Sequence, residues 1–229
     1  SQVVNAVAAS TNVALAAKGT SKGVKLTSAL ASPQAGEWEG VLLGGGVAGD
    51  RTVLDGLTIE YGGRDLGVSP PDGCLVVHGT GVEITVRNSV FRHCRTAGVS
   101  VMGAILLQDT EIRGVVAGTN PSSAPGSALV MHPGARFSAR EPSTGNTFTG
   151  NAGYPVELTV SAISDLDPAT TFTGNGNDRV RWHETNALNV PFFVPALPVP
   201  YHVTAPIEIG GNAGPTATIE AGATFHQAP

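Results

Sequence analysis

The side chains whose types and spacing could do chemistry here are carboxylates and arginines at alternate positions of short apolar runs. Asp55, Glu60, Glu83, Asp109, Glu111 and Glu157 each sit in or beside such a run. The two-residue period of an extended strand turns them outward. Two carboxyls at a set separation on one face are what glycosidic-bond hydrolysis requires. Aligning the runs places Glu60 beside Arg92 and Arg113, and Asp55 beside Arg87 and Gln108. Columns of mixed sign read as surface ion pairs, each worth little, rather than as an acid facing a base. Glu60, Arg92, Asp109, Glu111 and Arg113 therefore form a candidate binding face, and no catalytic residue is assigned. Asp109 and Glu111 share a face by the same alternation. Two ligands fall short of the about six to eight oxygens that calcium takes, so neither a metal nor a cofactor is expected.

The histidines and cysteines are the next candidates. His78, His132 and His183 end equivalent strands, with Met102 and Thr159 between them. Rings two rows apart lie roughly 10 Å from each other, too far to share one ion, so these histidines read as solvent-facing strand ends. His93 and Cys94 are adjacent and so point to opposite faces, which rules out a nucleophile–base pair. Cys74 opens one repeat and Cys94 closes it. They form either one disulfide, as an exported chain would, or a buried pair of free thiols. Two cysteines are too few for a disulfide scaffold or a zinc site. Asn88, Asn146, Asn151, Asn175 and Asn177 sit at or near turns, where amide side chains satisfy turn backbone. Gly44-Gly45-Gly46 precedes no helical pattern and reads as a turn, not a phosphate loop.

The elements that must carry these groups repeat. Asn146-Thr147-Phe148-Thr149-Gly150-Asn151 and Thr170-Thr171-Phe172-Thr173-Gly174-Asn175 lie 24 residues apart, a period typical of a unit that stacks on its own copies. The last large apolar residue before each turn gives a column: Ile59, Phe91, Ile112, Phe148 and Phe172, with spacings of 32, 21, 36 and 24 residues. Leu54–Ile59, Val86–Phe91 and Leu107–Ile112 are similar lead-in segments. The long spacings carry Pro- and Gly-rich insertions at 64–72, 116–126 and 139–145, which read as loops leaving the body. A second strand follows each turn, at Leu75–His78, Val99–Met102, Leu129–His132, Val156–Thr159 and Val180–His183. A third, weaker one appears at Val82–Ile84. Two or three short strands per roughly 22 residues predict an all-β, right-handed parallel β-helix, a solenoid with loop insertions and a Pro-rich C-terminal extension. The aligned columns disfavour the rival reading, an antiparallel sandwich.

Composition agrees. The chain has 229 residues, of which 30 are Gly and 16 Pro; 41% are hydrophobic and 14% charged. Abundant Val, Thr, Ala and Gly argue for strands and turns and against helices. A net charge of −5 argues against a nucleic-acid partner, which would call for a basic stripe. Lys18, Lys22 and Lys25 are all the lysines and read as a solvated loop. No apolar run reaches the roughly 20 residues of a membrane span. No charged segment followed by an apolar block opens the chain, so no secretory leader is visible.

Several phrases resemble the pectate-lyase-like right-handed β-helix repeat proteins of bacterial surfaces. They are Ala16-Ala17-Lys18-Gly19-Thr20 with Val24-Lys25-Leu26-Thr27-Ser28, then Gly36-Glu37-Trp38-Glu39-Gly40-Val41, then Leu54 through Gly63 ending Thr58-Ile59-Glu60-Tyr61-Gly62-Gly63. The resemblance spans most of residues 13–183. It implies the scaffold, which hosts lyases, glycosidases, adhesins and modules of unknown role; the family's glycosidase signature of paired Asp with Gly-His-Gly is absent. Domains expected are a β-helix at 1–190, an extended strap at 191–200, and C-terminal strands at 201–229 that cap it or join a neighbouring copy. Tyr201–Thr204 through Thr218–Phe225 resembles the phrase that begins such a domain, and Asn12–Gly19 resembles its continuation. Tyr201, Val203, Ile207, Ile209, Ile219 and Phe225 are accordingly the candidate assembly residues. The alternatives are a piece of a tandem array, or two ends that join one helix within the chain. The function expected is an exported structural or adhesive protein, extracellular or on the bacterial surface, whose partners are copies of itself end to end. The alternative is a polysaccharide-binding or polysaccharide-cleaving module. Aromatics make up only 5%; Trp38, Tyr61, Tyr154 and Tyr201 are the main ones left to face a sugar, and that scarcity favours the structural reading.

Overall fold

The computed structural model describes residues 16–18, 23–44, 51–63, 73–119, 125–183, 188, 190–210 and 215–227. The insertion at 64–72 lies outside them, as do 120–124 of the second insertion and Asn12–Leu15 and Gly19-Thr20 of the N-terminal phrases.

Short β-branched and apolar runs bounded by Gly, Asn and Asp form strands of two to five residues, and the chain visits three sheets in turn. β1 (Ala16–Lys18), β2 (Val24–Leu26) and β3 (Val41–Gly44) place one strand in each sheet. The same order recurs with β4 (Arg51–Asp55), β5 (Leu57–Glu60) and β6 (Leu75–His78), then β7 (Glu83–Arg87), β8 (Val90–Arg92) and β9 (Ala97–Val101). It recurs again with β10 (Ala104–Gln108), β11 (Glu111–Arg113) and β12 (Ser127–Met131), and with β13 (Arg136–Phe137), β14 (Thr147–Thr149) and β15 (Val156–Leu158). After a short helix α1 (Val160–Ile163) come β16 (Thr171–Thr173), β17 (Val180–Trp182), β18 (Phe192–Val194), β19 (Tyr201–Val203), β20 (Ala217–Ile219) and β21 (Phe225–Gln227). Sheet one runs β1-β4-β7-β10-β13, sheet two β2-β5-β8-β11-β14-β16, and sheet three β3-β6-β9-β12-β15-β17-β19-β21; β18 and β20 form a separate pair. Every strand pairing among the described residues is parallel.

Like residues stack on like. Leu26, Ile59, Phe91, Ile112, Phe148 and Phe172 pair in register across sheet two. Val41, Leu75, Val99, Leu129, Val156, Val180, Tyr201 and Phe225 do so across sheet three. The rows of the three sheets meet in one apolar core. Each fully buried member contributes about 1.5–3 kcal/mol, so the column is where stability concentrates. Cys74 and Cys94, both fully buried, are joined in a disulfide.

The corners explain where strand periodicity fails. Leu54–Ile59, Val86–Phe91 and Leu107–Ile112 look continuous in sequence, but each is broken between sheets one and two. The break falls at Gly56, Asn88 and Asp109, with φ of 68°, 50° and 47°. Asn and Asp tolerate this left-handed conformation better than other side chains. Asp109 is thus a corner residue, not a strand residue sharing a face with Glu111. Leaving sheet two, the second corner has Tyr61, His93, Gly114, Gly150 and Gly174 in equivalent places, with φ from 54° to 68°. There Asn151 receives the backbone N–H of Val115 at 3.1 Å and donates to the Ile112 carbonyl at 3.3 Å and to Asn175 Oδ1 at 2.8 Å. Asn175 repeats the pattern on Asn151 N–H and the Phe148 carbonyl. The corner asparagines therefore take over the backbone pairing that the bend breaks.

One element went unforeseen. Composition argued against helices, yet α1 buries Ala162 and Ile163. It is tied to both sides: Ser161 Oγ donates to the Ala135 carbonyl at 2.8 Å, and Ser164 Oγ donates to Phe193 O at 2.9 Å and accepts from Phe193 N at 3.1 Å. The Pro-rich strap packs onto the body, burying Phe192, Val194 and Leu197.

Candidate functional site

The outward face of sheet two carries the charged residues singled out by spacing. Register sets Glu60 beside Arg92 and Arg92 beside Arg113. Glu60 is only 2% exposed, however, so it is not an outward, solvent-facing group. Lys25 Nζ lies 2.6 Å from Oε2, Arg92 pairs with Oε1, and the Thr27 hydroxyl donates at 3.2 Å. Burial alone would raise its pKa; the hydrogen bonds and charges of Lys25 and Arg92 outweigh that and hold it below the usual carboxylate range. Such a carboxylate stays ionised and cannot serve as a general acid at neutral pH. Arg113 pairs with Glu111 of its own strand at 3.2 Å. Asp109 stands apart at its corner, its side chain against Gly145, where an added Cβ would come within 2.3 Å of Oδ1. The five residues thus separate into two ion pairs and one turn residue. Among the described residues, no group of three or more His, Cys, Asp or Glu could hold a metal ion.

The other outward carboxylates behave alike. Asp55 accepts from Arg87 at 3.0 Å and from Asn88 at 2.9 Å. Glu83 accepts from Ser138 at 2.8 Å and faces Arg140 at 3.4 Å. Glu157, expected on the surface, is buried; it pairs with Arg181 at 2.8 Å and accepts from Ser127.

His132 is not the solvent-facing strand end that its position suggests. Its Nε2 lies 3.0 Å from the buried Ser100 hydroxyl. Burial, with His183 nearby, pushes its pKa down to about 4, so the ring is neutral at pH 7. Of the candidate assembly residues, Tyr201 is interior and donates to the Pro195 carbonyl at 2.9 Å. Val203 and Ile207 are half-buried, while Ile209, Ile219 and Phe225 are 49%, 55% and 39% exposed. The insertion at 139–145 forms one wall of a cleft of about 400 Å³ whose other wall is Ser164–Pro168. Burial raises the Asp165 carboxyl there.

Spacing missed two aromatic pairs. Tyr61 and His93, on adjacent strands' corners, stack at 5.2 Å with planes 15° apart. Each lies two residues beyond a column residue, Ile59 and Phe91, so the alignment already contained the pair. Tyr154 meets His202 at 5.6 Å, with Arg181 over the tyrosine ring; Tyr154 lies before β15, outside the strand register, so alignment could not find that contact. No protein-family model, curated protein or solved structure matches the chain. Among the described residues no helix is long and apolar enough to cross a membrane.

Proposed function

We propose that the chain is a right-handed parallel β-helix of the kind found in pectate-lyase-like repeat proteins of bacterial surfaces, exported and working as a structural or adhesive rod that associates head to tail with copies of itself. The observation that carries this reading is the in-register stacking of like residues through successive visits to the three sheets. The carboxylates support it as well, because Glu60, Glu83, Glu111 and Glu157 are all paired with cations of the same chain. The disulfide fits an oxidising compartment. For assembly, the argument is polarity. The described strands of each sheet run parallel, and β21, the last strand of sheet three, exposes all three of its residues, so a copy stacked beyond it would continue that sheet without reversing a strand. Such a contact is heterologous and does not close.

Negative-stain microscopy over a concentration series tests this. Filaments repeating at one subunit length are expected at high concentration. Single short rods at every concentration would refute the assembly.

One observation favours a second reading, a polysaccharide-binding module. The Tyr61–His93 stack adjoins the Glu60, Arg92 and Arg113 face in a backbone conformation that costs a non-Gly residue about 1 kcal/mol or more. Retention on a polysaccharide panel that Tyr61→Ala abolishes would support it; no retention of the wild type would refute it.

A further inference from the structure

In a chain of net charge −5, the last strands of sheet three gather basic side chains on their outward face. Register sets Arg181 beside His202 and His202 beside His226, at about 4.8 Å per strand. Arg179 lies in the bend just before β17, near enough for its charge to act on His202. Tyr154 completes the patch from the turn before β15. The Arg181 guanidinium lies 5.6 Å from its ring centroid, and its hydroxyl is 2.8 Å from His202 Nδ1. That bond fixes the imidazole and leaves Nε2 free to face outward.

The carboxylates around the patch are engaged. Glu157 is buried and holds Arg181 through Nη1. Asp178, beside Arg179, has both oxygens on the backbone and side chain of the 174–175 turn. Arg181 Nη1 is held by Glu157, while a third of the side chain stays exposed, which leaves the outer part of the guanidinium open to a ligand. Arg181, His202 and His226 are thus neighbours in register with Arg179 close by, and the nearby carboxylates Glu157 and Asp178 are already bonded.

We propose that Arg179, Arg181, His202 and His226 form an oxyanion site that takes a phosphate group. A guanidinium fork matches the tetrahedral oxygens, and imidazole donors one strand apart can reach the same group. Burial, then repulsion from Arg179, Arg181 and His226, holds His202 below its ordinary pKa. A bound dianion reverses the repulsion, so binding takes up a proton at His202; because the phosphate dianion is itself protonated in the same range, affinity peaks between the two ionisations.

The test is proton NMR of the histidine ring signals on the full chain between pH 5 and 8. Titrations run in chloride and then in inorganic phosphate at equal ionic strength. Phosphate should raise the His202 midpoint by about one unit, and Arg179→Gln and His226→Gln should each at least halve that rise. His226→Gln decides the matter if Arg179→Gln fails to fold. The site is overturned if neither phosphate nor polyphosphate moves His202 further than chloride does, or if both variants respond as the wild type. A parallel arm with polyphosphate separates the sources: saturation by inorganic phosphate means that the free ion suffices, and a shift with polyphosphate alone means that the group is read on a polymer.

Discussion

Replacing Asn151 by Leu, which keeps the number and branching of the side-chain heavy atoms, should cost about 2–5 kcal/mol. Asn151 is 1% exposed, and its amide satisfies three groups at the corner after sheet two: the N–H of Val115, the carbonyl of Ile112, and Oδ1 of Asn175. Leucine preserves packing but leaves the Val115 donor and the Ile112 acceptor buried without partners. Each such group costs about 1–3 kcal/mol. Burial of the larger apolar side chain, at about 25 cal/mol per Å², offsets part of that. Urea melts of variant and wild type, fitted with a common m-value, read the difference. Asn151→Asp sharpens the test. It keeps an acceptor for Val115 but brings a carboxylate up to the Ile112 carbonyl, which raises its folded-state pKa above the unfolded value. A group so raised is tolerated below the unfolded pKa and penalised as pH rises through the folded one, so this variant should recover stability on acidification while the leucine variant does not. A loss below about 0.5 kcal/mol for Asn151→Leu would mean that the corner backbone is satisfied elsewhere, and the asparagine argument would fail.

Removing the disulfide by Cys74→Ala with Cys94→Ala, which opens a loop with a sequence separation of 20 residues, should cost about 3 kcal/mol by chain entropy, visible as a lower Tm by calorimetry. Glu60 has a depressed pKa, so its contribution is present above the unfolded carboxylate value and is lost as pH falls through the lower folded one; Glu60→Gln should flatten that part of the stability–pH curve. Gly176→Ala should destabilise by more than about 2 kcal/mol, because the added Cβ would sit 1.9 Å from the Ala152 carbonyl oxygen; Gly150→Ala, with open space around it, should cost only about 1 kcal/mol of backbone strain.

What sequence reveals here is the part governed by repetition. Ile59, Phe91, Ile112, Phe148 and Phe172 could be aligned because an apolar residue two positions before a left-handed turn recurs, and they pair in register as aligned. The neighbours of Glu60 and Asp55 followed from that alignment. Depth did not. Alternation places Glu60 and Glu157 on the outer side of their strands, but whether other side chains close over that side is a tertiary matter, and both are buried. Asp109 was misplaced because period-two counting ran straight through a corner that only its φ of 47° betrays. The helix α1 follows no periodic signal; four residues are too few to carry one.

Each strand of the three sheets pairs only with the strand one visit before and the strand one visit after, and this sets how the molecule would bear load. Tension applied at the two ends peels one visit at a time, so resistance is a series of small, similar steps rather than one large one. The bond between Cys74 and Cys94 interrupts that series. It shields the 20-residue separation between them from extension, roughly 70 Å of contour length at about 3.4 Å per residue, and turns one visit in the N-terminal half of the described body into a stop that force alone cannot unravel.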